Sequence, residues 1–110
     1  MQHEVREEGG SVVVSFQGEI DLEHSPRARE VLLECVGRAC PVLVGLSGVE
    51  YIDSSGVASL VEALQQAKGQ GNSLTLASVS PSAMRVLELA RLDKVFTIVE
   101  SVSEGLDGGP

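Results

Sequence analysis

The string Asp53-Ser54-Ser55-Gly56 sets two hydroxyls beside a carboxylate, between an apolar run at 42 to 46 and a helical stripe that begins at Val57. A serine hydroxyl can accept a phosphoryl group. At a helix N-terminus, free backbone N–H groups and the positive end of the helix dipole favour a nearby anion. Such a string standing alone is most often a capping device. Its frame decides what each residue does. With Asp53 as N-cap, Ile52 precedes the cap and Val57 is the fourth helical residue, so the two pack as a hydrophobic staple. A cap at Ser54 would put Asp53 in the staple position and lose that contact. Ser54 is therefore the first helical residue, projecting from the helix end within reach of a kinase. Ser55 is the second and Gly56 the third. Gly56, with no side chain, is expected to leave room for a partner.

Other chemistry is poorly supplied. His3 lies near the terminus, and His24 adjoins Ser25 on an expected solvated loop, where neighbouring side chains seldom align as nucleophile and base. There is no Gly-x-Ser-x-Gly elbow and no Gly-rich Lys-Ser/Thr phosphate loop. Gly69 and Gly71 read as a helix stop and a turn. The two cysteines, Cys35 and Cys40, have no nearby histidine and make neither a disulfide framework nor a zinc site. An enzyme is not expected, and neither a metal nor a cofactor.

The elements that position the string follow from periodicity. Glu7-Glu8-Gly9-Gly10 turns a hairpin between a weak polar strand and the β-branched run 11 to 16, with Gly18 ending the second strand. Ser25-Pro26 starts a helix as cap and first helical residue, with Ala28, Val31, Leu32, Cys35 and Val36 on one face and Gly37 at its end. The continuous apolar run 42 to 46 suits a strand buried on both faces. Val57, Leu60, Val61 and Leu64 form the core stripe of the second helix. A strand at 74 to 79, a helix from Ser80-Pro81 continued by Met84, Leu87 and Ala90 to Arg91, and a strand at 96 to 99 complete the order β-β-α-β-α-β-α-β. This is a single α/β domain with a mixed, mostly parallel sheet, an edge hairpin and helices packed against it. It is expected over residues 1 to 100, followed by a frayed glycine-rich tail at 101 to 110.

Charge narrows the partners. A net charge of −8 argues against nucleic acid and anionic membrane, and steers towards a protein with a basic patch. With no signal peptide and no apolar stretch of spanning length, cytoplasmic residence is expected.

Gly18-Glu19-Ile20-Asp21, the strand at 42 to 46, Tyr51 to Val57, the segment Ser80 to Leu87 and Leu92 to Phe96 together resemble the STAS domain family, specifically the bacterial stand-alone anti-sigma factor antagonists. The resemblance implies a regulatory binding protein. Its partner would be an anti-sigma factor that is also a serine kinase. Unphosphorylated, the chain would sequester that partner and free a sigma factor; phosphorylation of Ser54 would break the complex and a phosphatase would restore it. The partner-binding patch would include Asp21, Asp53, Ser54, Ser55 and Gly56. A different role for a similar surface is docking on the ATPase of a lipid-trafficking ABC transporter, without phosphorylation. The chain departs from the family at Gly45, where Asp or Asn is usual, and in its short tail.

Overall fold

In the computed structural model, residues 1–107 are described. They form β1 (Gln2–Glu8), β2 (Ser11–Ile20), α1 (Ser25–Val36), β3 (Val42–Ile52), α2 (Ser54–Gly69), β4 (Leu74–Ala77), α3 (Pro81–Leu89), β5 (Thr97–Val99) and α4 (Val102–Asp107). The strands lie side by side in chain order as one sheet. β1 runs antiparallel to β2, while β2, β3, β4 and β5 are parallel. The expected α/β fold with an edge hairpin is what forms.

Strand alternation builds the core. Val12, Val14 and Phe16 of β2, Val42, Val44 and Leu46 of β3, and Leu74 and Leu76 of β4 share one cluster with the inward residues of α1, α2 and α3. All five residues of the α1 stripe are buried, as are Val57, Leu60 and Leu64 of α2, whereas Val61 is only partly covered. Each fully buried aliphatic side chain contributes on the order of 1.5–3 kcal/mol. Arg29 of α1 clamps Glu62 of α2 in a bidentate pair at 2.8 and 2.7 Å, fixing the two exposed faces together.

Several boundaries differ from the sequence expectation. Gly18 does not end β2. It takes φ +87° between two register shifts, each of which sets an extra residue on β3, so the bulges lie in β3 and β2 runs on unbroken through Gly18 to Ile20. β3 likewise continues past Leu46 to Ile52. α1 begins one residue early: His24 occupies the N-cap position without a side-chain cap, Ser25 is buried, and Pro26 is the second helical residue. The turn before it explains this, because Asp21 O already accepts the Ser25 N–H at 2.8 Å. β4 stops at Ala77, where Ser78 turns left-handed at φ 52°. Phe96 is buried just ahead of β5 rather than in it. α3 ends at Leu89, short of the expected Ala90 and Arg91, because Arg91 turns left-handed at φ 61°; its buried residues are Ala83 and Leu87.

The tail is not frayed over its described part. Val102–Asp107 is a short helix on the second face of the sheet, with Gly105 close against Leu43. Two local bonds start it: Ser101 Oγ accepts the Glu104 N–H, and a Glu104 carboxylate oxygen accepts the Glu100 N–H, both at 3.0 Å. The last three residues of the expected tail lie outside the described residues. Among the described residues, no helix is long and apolar enough to cross a membrane.

Candidate functional site

The C-terminal ends of β2 and β3 are neighbours in register, Ile20 opposite Ile52. Each strand then leads into a helix, β2 through the turn 21 to 24 and β3 directly through Asp53. The Asp53 N–H donates to Ile20 O at 3.3 Å, tying one connection to the other. Asp21 and Asp53 thus come from adjacent strand ends at one edge of the molecule.

Asp53 is the N-cap of α2, in extended conformation. One carboxylate oxygen, Oδ1, accepts the Ser55 N–H at 3.0 Å, the Gly56 N–H at 3.2 Å and the Ser55 hydroxyl at 2.5 Å. The Ser55 hydroxyl bond, supported by those backbone donors, outweighs the cost of partial burial and holds the Asp53 carboxyl below its ordinary pKa. The two serines are therefore unlike. Ser55 is half-buried with its hydroxyl committed to Asp53. Ser54 is exposed, and among the described residues its hydroxyl has no hydrogen-bond partner.

Gly56 corrects an expectation. It is buried, and the space it leaves is not open to a partner. A Cβ there would stand 2.6 Å from Ile20 O and 2.7 Å from Ile52 Cγ1. The missing side chain lets α2 start directly against the end of β2.

His24 is a second correction. It is not a solvated loop residue: its ring Nδ1 lies 2.7 Å from Asp21 Oδ1, and the same oxygen accepts the His24 N–H at 3.1 Å. Partial burial pushes the Asp21 carboxyl up, but the bonds from His24 outweigh it and the net pKa is lowered. The sequence carried a usable signal, an Asp three residues before a His at the entry to a helix, which is the reach of a side-chain-closed turn.

Both carboxylates are depressed in the folded chain, so the sign of their pH linkage is the same. Their stabilisation is present above the ordinary Asp range and is lost as pH falls through the lowered folded values. Melting temperature is expected to drop on that acid limb, and Asp53→Ala should flatten it while lowering the neutral-pH midpoint by several degrees through loss of the cap. A midpoint unchanged at neutral pH in thermal melts would contradict the cap's role.

No group of three or more His, Cys, Asp or Glu among the described residues is placed to hold a metal ion. Cys35 is buried, and burial, with the nearby Glu34 charge adding to it, pushes its thiol up to about 11. It is a packing residue rather than a nucleophile.

Comparison with known proteins shows the family of the fold. The anti-sigma-B factor antagonist of Bacillus subtilis is 29% identical over 102 residues, covering 93% of each chain. An anti-sigma-factor antagonist (STAS) domain protein from Planctomyces limnophilus superposes with a TM-score of 0.86 at 25% identity, covering 94% of both chains. An anti-sigma factor antagonist from Mycobacterium paratuberculosis gives 0.87 at 25% identity, over 97% of this chain and 92% of that one. Residues 2–105 match the sequence pattern of the STAS domain, a stretch that runs past the expected domain end at 100 and takes in most of α4. On that match the chain belongs to the STAS domain family.

Proposed function

We propose that this domain is a phosphorylation-switched antagonist of an anti-sigma factor that is also its serine kinase. In the unphosphorylated form it binds that partner through the surface around Asp21, Asp53 and Ser54, and a sigma factor is released. Phosphorylation of Ser54 ends the complex, and a phosphatase resets it, in the cytoplasm. The relatives' names support the antagonist role.

One observation carries the choice of residue. At the start of α2, the Ser54 hydroxyl is exposed and unengaged, while the Ser55 hydroxyl is held at 2.5 Å by Asp53. A kinase can take Ser54 without breaking any bond of the cap; taking Ser55 would cost the cap its shortest bond.

Asp53 also determines where the phosphate goes. It already occupies the N–H groups of Ser55 and Gly56. A phosphate on Ser54 finds those donors taken and a carboxylate beside it, so it stays in solvent, in the path of the partner.

Incubation with the purified anti-sigma factor kinase, followed by intact-mass measurement and site mapping, should give one phosphate per chain on Ser54 and none in Ser54→Ala. Phosphate mainly on Ser55, or undiminished phosphorylation of Ser54→Ala, would overturn the assignment.

A further inference from the structure

We propose that Leu22 and Tyr51 are the apolar anchors of this docking surface, and that they seat in a hollow of the partner protein rimmed by Lys and Arg. The inference rests on the reading of the site as a partner-binding surface and adds which side chains supply the affinity.

Among the described residues, four large apolar side chains are exposed: Leu22 at 75%, Tyr51 at 50%, Leu89 at 80% and Val95 at 48%. Leu89 and Val95 stand at the other end of the sheet, near the start of β5. Leu22 and Tyr51 stand at the end that carries Ser54. Tyr51 is opposite Glu19 at the close of the β2–β3 ladder, and Leu22 is two residues beyond Ile20, opposite Ile52.

Leu22 is not exposed through slackness. Its turn is closed from both sides of Asp21. Asp21 O accepts the N–H groups of His24 and Ser25 at 3.1 and 2.8 Å, and Asp21 Oδ1 takes the His24 N–H and faces its ring. A leucine held out on a rigid turn loses little freedom when it is covered, which is the condition for an effective anchor. Tyr51 is held by a paired strand, and Tyr is a frequent source of interface energy.

Charge selects the occupant. Residues 19 to 24 and 50 to 54 contain five carboxylates, Glu19, Asp21, Glu23, Glu50 and Asp53, and no Lys or Arg. The His24 ring faces Asp21 and Glu23. The nearest arginine along the chain, Arg27, turns towards Glu30 at 4.0 Å. A second copy presenting this same end would set carboxylate against carboxylate, and an anionic lipid surface or nucleic acid would be repelled. A basic rim around an apolar hollow complements both features, with anchors at the centre and charges steering the approach.

The test is titration of the purified anti-sigma factor kinase against wild type, Leu22→Ala, Tyr51→Ala, the double variant, Ser54→Asp and Leu89→Ala, with a thermal melt of each. Leu22→Ala and Tyr51→Ala should each weaken binding by about tenfold or more, and the double variant by about 100-fold. Leu89→Ala should bind as wild type, and the midpoints of Leu22→Ala and Leu89→Ala should stay close to wild type because those side chains are mostly exposed; Tyr51→Ala, which also loses its covered half, should melt lower but remain folded at the titration temperature. Wild-type affinity of Leu22→Ala and Tyr51→Ala, alongside lost binding of Ser54→Asp, overturns the anchors and leaves the proposed switch standing. No binding by the wild-type chain overturns both.

Discussion

Phosphorylation of Ser54 is expected to weaken the complex with the anti-sigma factor by about 100-fold while leaving the fold in place. Such a loss corresponds to about 2.7 kcal/mol. A phosphoserine brings roughly −1.5 to −2 charges at neutral pH. It arrives beside Asp53, near Asp21, on a chain whose net charge is already −8. Burying an unpaired charge in an interface costs 2 kcal/mol or more on its own, roughly the size required. The helix dipole offsets part of the cost only in the free protein. Because the Ser54 hydroxyl takes part in no bond of the α2 cap, nothing in the core must move for the complex to fail. Calorimetric titration of phosphorylated and unphosphorylated chain reads the affinity. Amide NMR spectra of the two free forms read the fold, with shifts expected near Asp21 and over 53 to 60. Equal affinities would refute the switch, and broad shifts through the sheet and α3 would require a conformational mechanism in place of a local one.

The second large effect is expected at Gly56. In an exposed helix, Gly→Ala stabilises by about 1 kcal/mol. Here the sign should reverse. The added methyl would meet Ile20 O at 2.6 Å, Ile52 Cγ1 at 2.7 Å and Ile20 Cγ2 at 2.9 Å. The first of these is backbone at the end of β2 and cannot swing aside like a side-chain tip. Overpacking of this kind costs about 1–3 kcal/mol, occasionally more. Gly56→Ala should therefore destabilise by a net of about 1–2 kcal/mol in denaturant melts, the backbone clash placing it in the upper part of that cost. It should also weaken partner binding, because relief of the clash pushes the first turn of α2, with Ser54, away from the Asp21 turn. A stabilised variant with unchanged binding would show that α2 can shift freely, against the tight contact described.

The element order and the α2 cap were legible because local rules govern them. Apolar spacing marks α1 and α2, and the staple between Ile52 and Val57 sets the frame that makes Asp53 the cap. What was not legible depends on partners distant in the chain. Gly18 looks like a strand end because glycine is a turn signal; only its pairing shows that β2 runs on past it, opposite bulges in β3. Gly56 looks like an open surface because glycine carries no record of what fills its space, and Ile20 lies 36 positions earlier. His24 looks solvated beside Ser25, but its ring is claimed by Asp21. α4 has few apolar residues to signal it. It is fixed by short-range bonds from Ser101 and Glu104 and by the sheet face it covers. At the site itself, residue types and frame were readable, and the frame already set Ser54 apart as the outward-projecting serine. What it did not show is that Asp53 captures the Ser55 hydroxyl.

The two borders of the sheet bear on how such a protein behaves at high concentration. An uncovered strand invites another chain to pair with it and begins aggregation. β1, at one border, carries Glu4, Arg6, Glu7 and Glu8 within seven residues, a density of charged side chains that disfavours strand addition. β5, at the other border, offers only three residues, too short a template for stable addition, with α4 packed beside it. Both borders are thus insulated against indiscriminate polymerisation. Ser54 lies on neither border, so under the proposed switch its phosphorylation would leave the insulation of both unchanged.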